Sequence, residues 1–134
     1  MQISINRAGI PVEACRQIAN QAVGVTRENR PVRVLTDFSN GGWCSWLAKQ
    51  EKPNLNLRTT CDGRTQFVPP AHFKASEDLY SLRTNWREQL ELWDPDFVLV
   101  NHGQPLSEGL LLLGEDWLPT YLDAGFQVFK RKRD

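Results

Sequence analysis

Residues 31–43 read Pro-Val-Arg-Val-Leu-Thr-Asp-Phe-Ser-Asn-Gly-Gly-Trp, and this stretch decides the fold class. Val32 to Thr36 is short and β-branched, which favours a strand, and it ends in Asp37 before the turn formers Ser39, Asn40, Gly41 and Gly42. A strand, a polar turn and the start of a helix therefore follow one another. Upstream, Pro11 suits a helix start, and Val12, Cys15, Ile18, Ala19, Ala22 and Val23 recur at helical spacing until the polar run Arg27 to Arg30. Downstream, a second helix spans about Gly42 to Lys49. Pro53 and Asn54 break it, and Leu55 to Cys61 reads as a second strand ending in Asp62-Gly63-Arg64.

The pattern then continues. Arg64 to Ala75, with Pro69-Pro70, reads as a long irregular connection holding a surface His72, and Ser76 with Glu77 and Asp78 as the cap of a long helix. Leu79, Leu82, Trp86, Leu90 and Trp93 form its buried stripe. Asp94-Pro95 ends it, and Phe97-Val98-Leu99-Val100 is a continuous apolar run, the mark of a strand covered on both faces, ending in Asn101 and His102. A short helix near Ser107 to Leu113 precedes a hairpin of Leu118 to Leu122 and Phe126 to Lys130, whose edge from Phe126 to Lys130 offers an unpaired strand to a partner. Strands alternating with helices predict a three-layer, Rossmann-like α/β domain. Its sheet has about five mostly parallel strands, with the antiparallel hairpin at the C-terminus. Residues 1–9 are a lead-in, and residues 10–134 form a single domain.

In such a sheet the strand ends lie on one side, and ligands bind where the strand order reverses. This gathers Asp37, Asn40, Gly41, Gly42, Trp43, Asp62, Arg64, Asn101 and His102 into a candidate crevice, with the backbone N–H groups at Gly41 and Gly42 free to hold an anion. The same Asp and Asn residues also serve as turn formers and caps. A catalytic set is missing. There is no Gly-x-Gly-x-x-Gly, no phosphate-cradling Gly-Lys loop and no Gly-x-Ser-x-Gly elbow, so no nucleotide cofactor is expected. The 16 basic and 16 acidic side chains cancel, which removes the field that draws nucleic acid. Cys15, Cys44 and Cys61 lack metal-ligand spacing, so no metal is expected; they read as three buried thiols, with a Cys44–Cys61 bridge as the alternative. The apolar run Leu110 to Leu113, closed by glycines, is far short of the roughly 20 residues of a membrane span.

The order Asp37-Phe38-Ser39-Asn40-Gly41-Gly42-Trp43-Cys44-Ser45-Trp46, then Asp62-Gly63-Arg64, Trp86, Asp96 to Val100, Trp117, Tyr121-Leu122-Asp123 and Val128 to Arg131 resembles a bacterial pattern. The resemblance, over residues 10–132, is to the soluble C-terminal domain of polytopic membrane glycosyltransferases of the dolichyl-phosphate-mannose-protein mannosyltransferase type. Asn40 departs from it, standing where an aromatic is common, and Cys44-Ser45 replaces an apolar pair. The resemblance implies an extracytoplasmic, non-catalytic accessory domain that positions acceptor or partner. Its partner would be a membrane-embedded transferase portion that takes a lipid-linked sugar and holds the catalytic carboxylates. Gly41, Gly42, Asp62, Gly63 and Arg64 carry over as pattern positions without a catalytic role. The alternative is a free-standing small α/β ligand-binding protein or enzyme that uses the strand-end crevice.

Overall fold

A computed structural model describes residues 11–25, 30–37, 40–60, 70–83 and 85–132. Helix α1 (Val12–Ala22) runs into a short 3-10 turn and is followed by β1 (Val32–Leu35), α2 (Gly41–Glu51) and β2 (Leu57–Thr59). Then come α3 (Pro70–Tyr80), α4 (Trp86–Trp93), β3 (Phe97–Asn101), α5 (Leu106–Leu112), β4 (Trp117–Leu122) and β5 (Phe126–Arg131).

The strands form one five-stranded open sheet in the order β2-β1-β3-β5-β4. Alternation along the strands splits the core in two. Val32, Val34, Phe97, Leu99, Phe126 and Val128 face one side and pack on α1 and α2 through Ala14, Cys15, Ile18, Cys44 and Leu47. Leu35, Val98, Val100, Trp117 and Phe129 face the other, against Leu79, Tyr80, Leu90, Leu106 and Leu110 of α3, α4 and α5. The three layers expected from the βα alternation are therefore present. The four apolar residues of β3, all buried, fill both cores as their continuous run predicts.

The expectation of a mostly parallel, Rossmann-like sheet holds only for β2-β1-β3. β1 pairs in parallel with β2 from Val32↔Leu57 to Val34↔Thr59 and with β3 only at Val34↔Phe97 and Leu35↔Val98. The antiparallel ladders are longer: β3 pairs with β5 from Phe97↔Lys130 to Asn101↔Phe126, and β4 pairs with β5 from Trp117↔Arg131 to Leu122↔Gln127. The cause lies in β5, whose Phe126 and Val128 serve one core and Phe129 the other. That suits an inner strand, so β5 is not the exposed edge; β4, carrying Pro119 and a bulge between Pro119 and Tyr121, takes that place.

Three local expectations also change. The long helix from Ser76 is two helices, interrupted where Leu82 (φ 55°) and Asn85 (φ 68°) take left-handed backbone. Helix α3 begins at Pro70, inside the segment read as irregular, so Ser76 is a buried mid-helix residue and not a cap. Cys15 and Cys44 form a disulfide that ties α1 to α2, which overturns both the three free thiols and the Cys44–Cys61 bridge. Cys61 lies outside the described residues.

Candidate functional site

The chain leaves β1 toward β2 on one side, while β3 lies on the other, so the strand order reverses between β1 and β3. Their backbone pairing stops at Leu35↔Val98 and the strands part beyond it. Side chains fill the opening. The Tyr80 hydroxyl, buried under α3, lies 3.2 Å from the Leu35 carbonyl and 2.6 Å from that of Leu99, bridging the diverging strands.

Further out, the Asn40 side-chain amide donates to Asn101 Oδ1 at 3.0 Å, while the Asn40 backbone N–H donates to Asp37 Oδ1 at 3.0 Å. Asn40 sits just ahead of α2, yet its side chain makes no bond to the helix and is buried because it spans the gap to β3. Gln104 completes the cluster: its Oε1 accepts from the Asn101 N–H at 2.8 Å and its Nε2 donates to Asp37 Oδ2 at 3.3 Å. The positive φ of Gly103 (90°) makes the turn that folds Gln104 back over the strand end. On the other flank, Thr60 Oγ1 accepts from the Thr36 N–H at 3.2 Å and links β1 to the end of β2.

Asp37, Asn40 and Asn101 are thus brought together as their strand-end positions predict. Gln104 belongs with them as well, its only sequence signal being a polar residue three places past the strand end. His102 is not part of the cluster: its Nε2 lies 2.7 Å from the Asp123 carbonyl and its backbone N–H bonds the Gly125 carbonyl, so it braces the β4–β5 turn. Next to it the Tyr121 hydroxyl donates to Asp123 Oδ2 at 2.6 Å, and burial, with Asp123 beside it, holds that phenol neutral to well above its ordinary range. Gly41 and Gly42 form the first turn of α2. Trp43 is 41% exposed, on the outer face of that helix, and meets Trp46 (54% exposed) edge to face at 6.4 Å. Asp62 and Arg64 lie outside the described residues.

Chemically the cluster is a closed ring of amides around one carboxylate, with both Asp37 oxygens accepting hydrogen bonds. Among the described residues no three metal-ligating side chains converge, and no helix is long and apolar enough to cross a membrane.

No family model matches the chain, and no curated protein matches it. In three dimensions it is similar to the C-terminal globular domain of an oligosaccharyltransferase from Archaeoglobus fulgidus. That likeness has a TM-score of 0.54 at 11% sequence identity, over 90% of this chain and 95% of that one. At such identity it establishes the shared fold.

Proposed function

We propose that this chain is a non-catalytic accessory domain of a membrane glycosyltransferase-like protein, held on the extracytoplasmic side, where it positions an acceptor or partner for a membrane-embedded transferase portion. The observation that carries the reading is the likeness, over nearly the whole chain, to the C-terminal globular domain of an oligosaccharyltransferase. The ordered motifs from Asp37 to Arg131 lead to the same kind of protein independently. The Cys15–Cys44 disulfide supports the compartment, since such bonds persist where the surroundings oxidise. The ring of Asp37, Asn40, Asn101 and Gln104 supports positioning: groups locked to one another form a rigid polar surface.

Fractionation of source cells, probed with an antibody to this chain, tests the reading. The expected species is much larger than 134 residues and stays with membranes through carbonate washing. A soluble species of about the chain's own size would overturn it in favour of the free-standing ligand-binding protein.

A further inference from the structure

A second site lies away from the strand-end ring, over the half of the sheet that faces α4. β1 and β2 run in parallel register with Arg33 opposite Arg58. Val32, Val34 and Leu57 turn into the α1–α2 core, so both arginines leave the sheet on the other face, side by side. Like charges placed directly opposite on a sheet repel, and side chains at such positions start only about 5 Å apart.

A groove of about 640 Å³ opens over the pair, lined by Arg33, Arg58, Asn56, Leu92 and Trp93 among others, and among the described residues no Asp or Glu lines it. Asp94, Asp96 and Glu91, the described carboxylates nearby, are turned elsewhere. Asp96 bonds the backbone N–H of Arg33 and the guanidinium of Arg30, Asp94 pairs with Arg30 and Arg131, and Glu91 pairs with Arg131. Arg33 itself is held in place: its Nη1 donates to the Trp93 carbonyl at 3.1 Å, leaving the rest of its donor fork for other acceptors. Arg58 is exposed.

We propose that this groove binds the phosphoryl group of an organic phosphate. Two adjacent guanidinium forks suit a multiply charged tetrahedral oxyanion, whereas one carboxylate occupies a single fork. Asn56 adds a neutral donor, and Leu92 with Trp93 offers an apolar wall for the ligand's organic part. A bound anion also removes the repulsion of the Arg33–Arg58 pair. This inference stands apart from the accessory-domain reading and survives its failure.

The test is isotope-edited NMR on the full chain, titrated in one arm with inorganic pyrophosphate and in the other with phosphatidylglycerol vesicles. Pyrophosphate is expected to move the Nε–Hε signals of Arg33 and Arg58 and the amides of 56–59. Arg58→Gln should weaken this roughly tenfold, as befits a lost charge-assisted bond. Arg87→Gln, an exposed arginine outside the groove, should leave it unchanged. A response in the pyrophosphate arm assigns a soluble phosphate ester. A response only to vesicles that Arg58→Gln abolishes assigns a lipid headgroup, and either supports the site. Silence in both arms, or equal weakening by both substitutions, overturns it. Melting in anion-free buffer gives a second reading. Arg58→Gln should keep or raise Tm by relieving repulsion; a lowered Tm would mean that a carboxylate of this chain already neutralises Arg58, and would overturn the proposal.

Discussion

Asp96 carries more structure than its place in the sequence suggests. It is 1% exposed, and its carboxylate takes the Arg33 N–H at 2.9 Å and the Arg30 guanidinium at 3.3 Å, clamping β1 to the start of β3. Truncating this buried charge leaves the Arg33 N–H without its acceptor and Arg30 with Asp94 alone, so Asp96→Ala should cost about 3 kcal/mol by urea denaturation. Asp37→Ala, at a half-buried carboxylate, should cost about 1 kcal/mol; equal costs would refute the distinction. Tyr121 governs alkaline behaviour. Its phenol is kept neutral first by burial and then by Asp123, so its folded pKa lies above the unfolded value of 10.0. The stability this lends is complete below that value and is lost as pH rises past it. Tyr121→Phe should therefore flatten the fall in urea midpoint from about pH 10 upward, while an unchanged profile would remove Tyr121 as its cause.

At the scale of elements, the cover of one sheet face depends on a single covalent tie. Cys15 and Cys44, 29 residues apart, fasten α1 to α2, the pair that closes the core around Ile18, Val34 and Phe97. Closing a loop of that length restricts the unfolded chain, so the Cys15→Ala, Cys44→Ala double variant should lose about 3 kcal/mol. Reductant should lower the Tm of the native chain and leave that of the variant alone; a native chain indifferent to reductant would refute the role. On the opposite face the two-helix arrangement of α3 and α4 has no covalent tie. It rests on Leu79, Tyr80 and Leu90 in the second core, with Leu82 and Trp86 packed against it.

Across the whole molecule, stability should fall from the middle of the sheet toward the β2 edge. β3 lies between β1 and β5 and is buried on both faces, whereas β2 is three residues long and, among the described residues, pairs only with β1. Amides of β3 should exchange with solvent only on global unfolding and those of β2 much sooner, by local opening. Equal protection across the sheet would show that it opens as one unit. An edge that opens cheaply also leaves Arg58 free to adjust to a ligand, while Arg33 stays anchored to Trp93.

The strands, the two-sided burial of β3 and the polar strand ends were legible in the sequence because each has a local cause. A run of β-branched or apolar residues specifies a strand, alternation assigns faces, and Asp, Asn and Gly specify turns. So Asp37, Asn40 and Asn101 could be placed together before the fold was seen. The break at Leu82 and Asn85 could not, because Leu79, Leu82, Trp86 and Leu90 keep helical spacing across it and face the same core whether the helix is whole or broken. Nor could the turning of His102 to Asp123, the arrival of Gln104 at Asp37, the pairing of Cys15 with Cys44 or the insertion of β5 beside β3. Each of these is a choice among partners distant along the chain. Local propensities leave such choices open, and they are settled only when the buried faces, backbone groups and carboxylates of the whole molecule compete for the same neighbours.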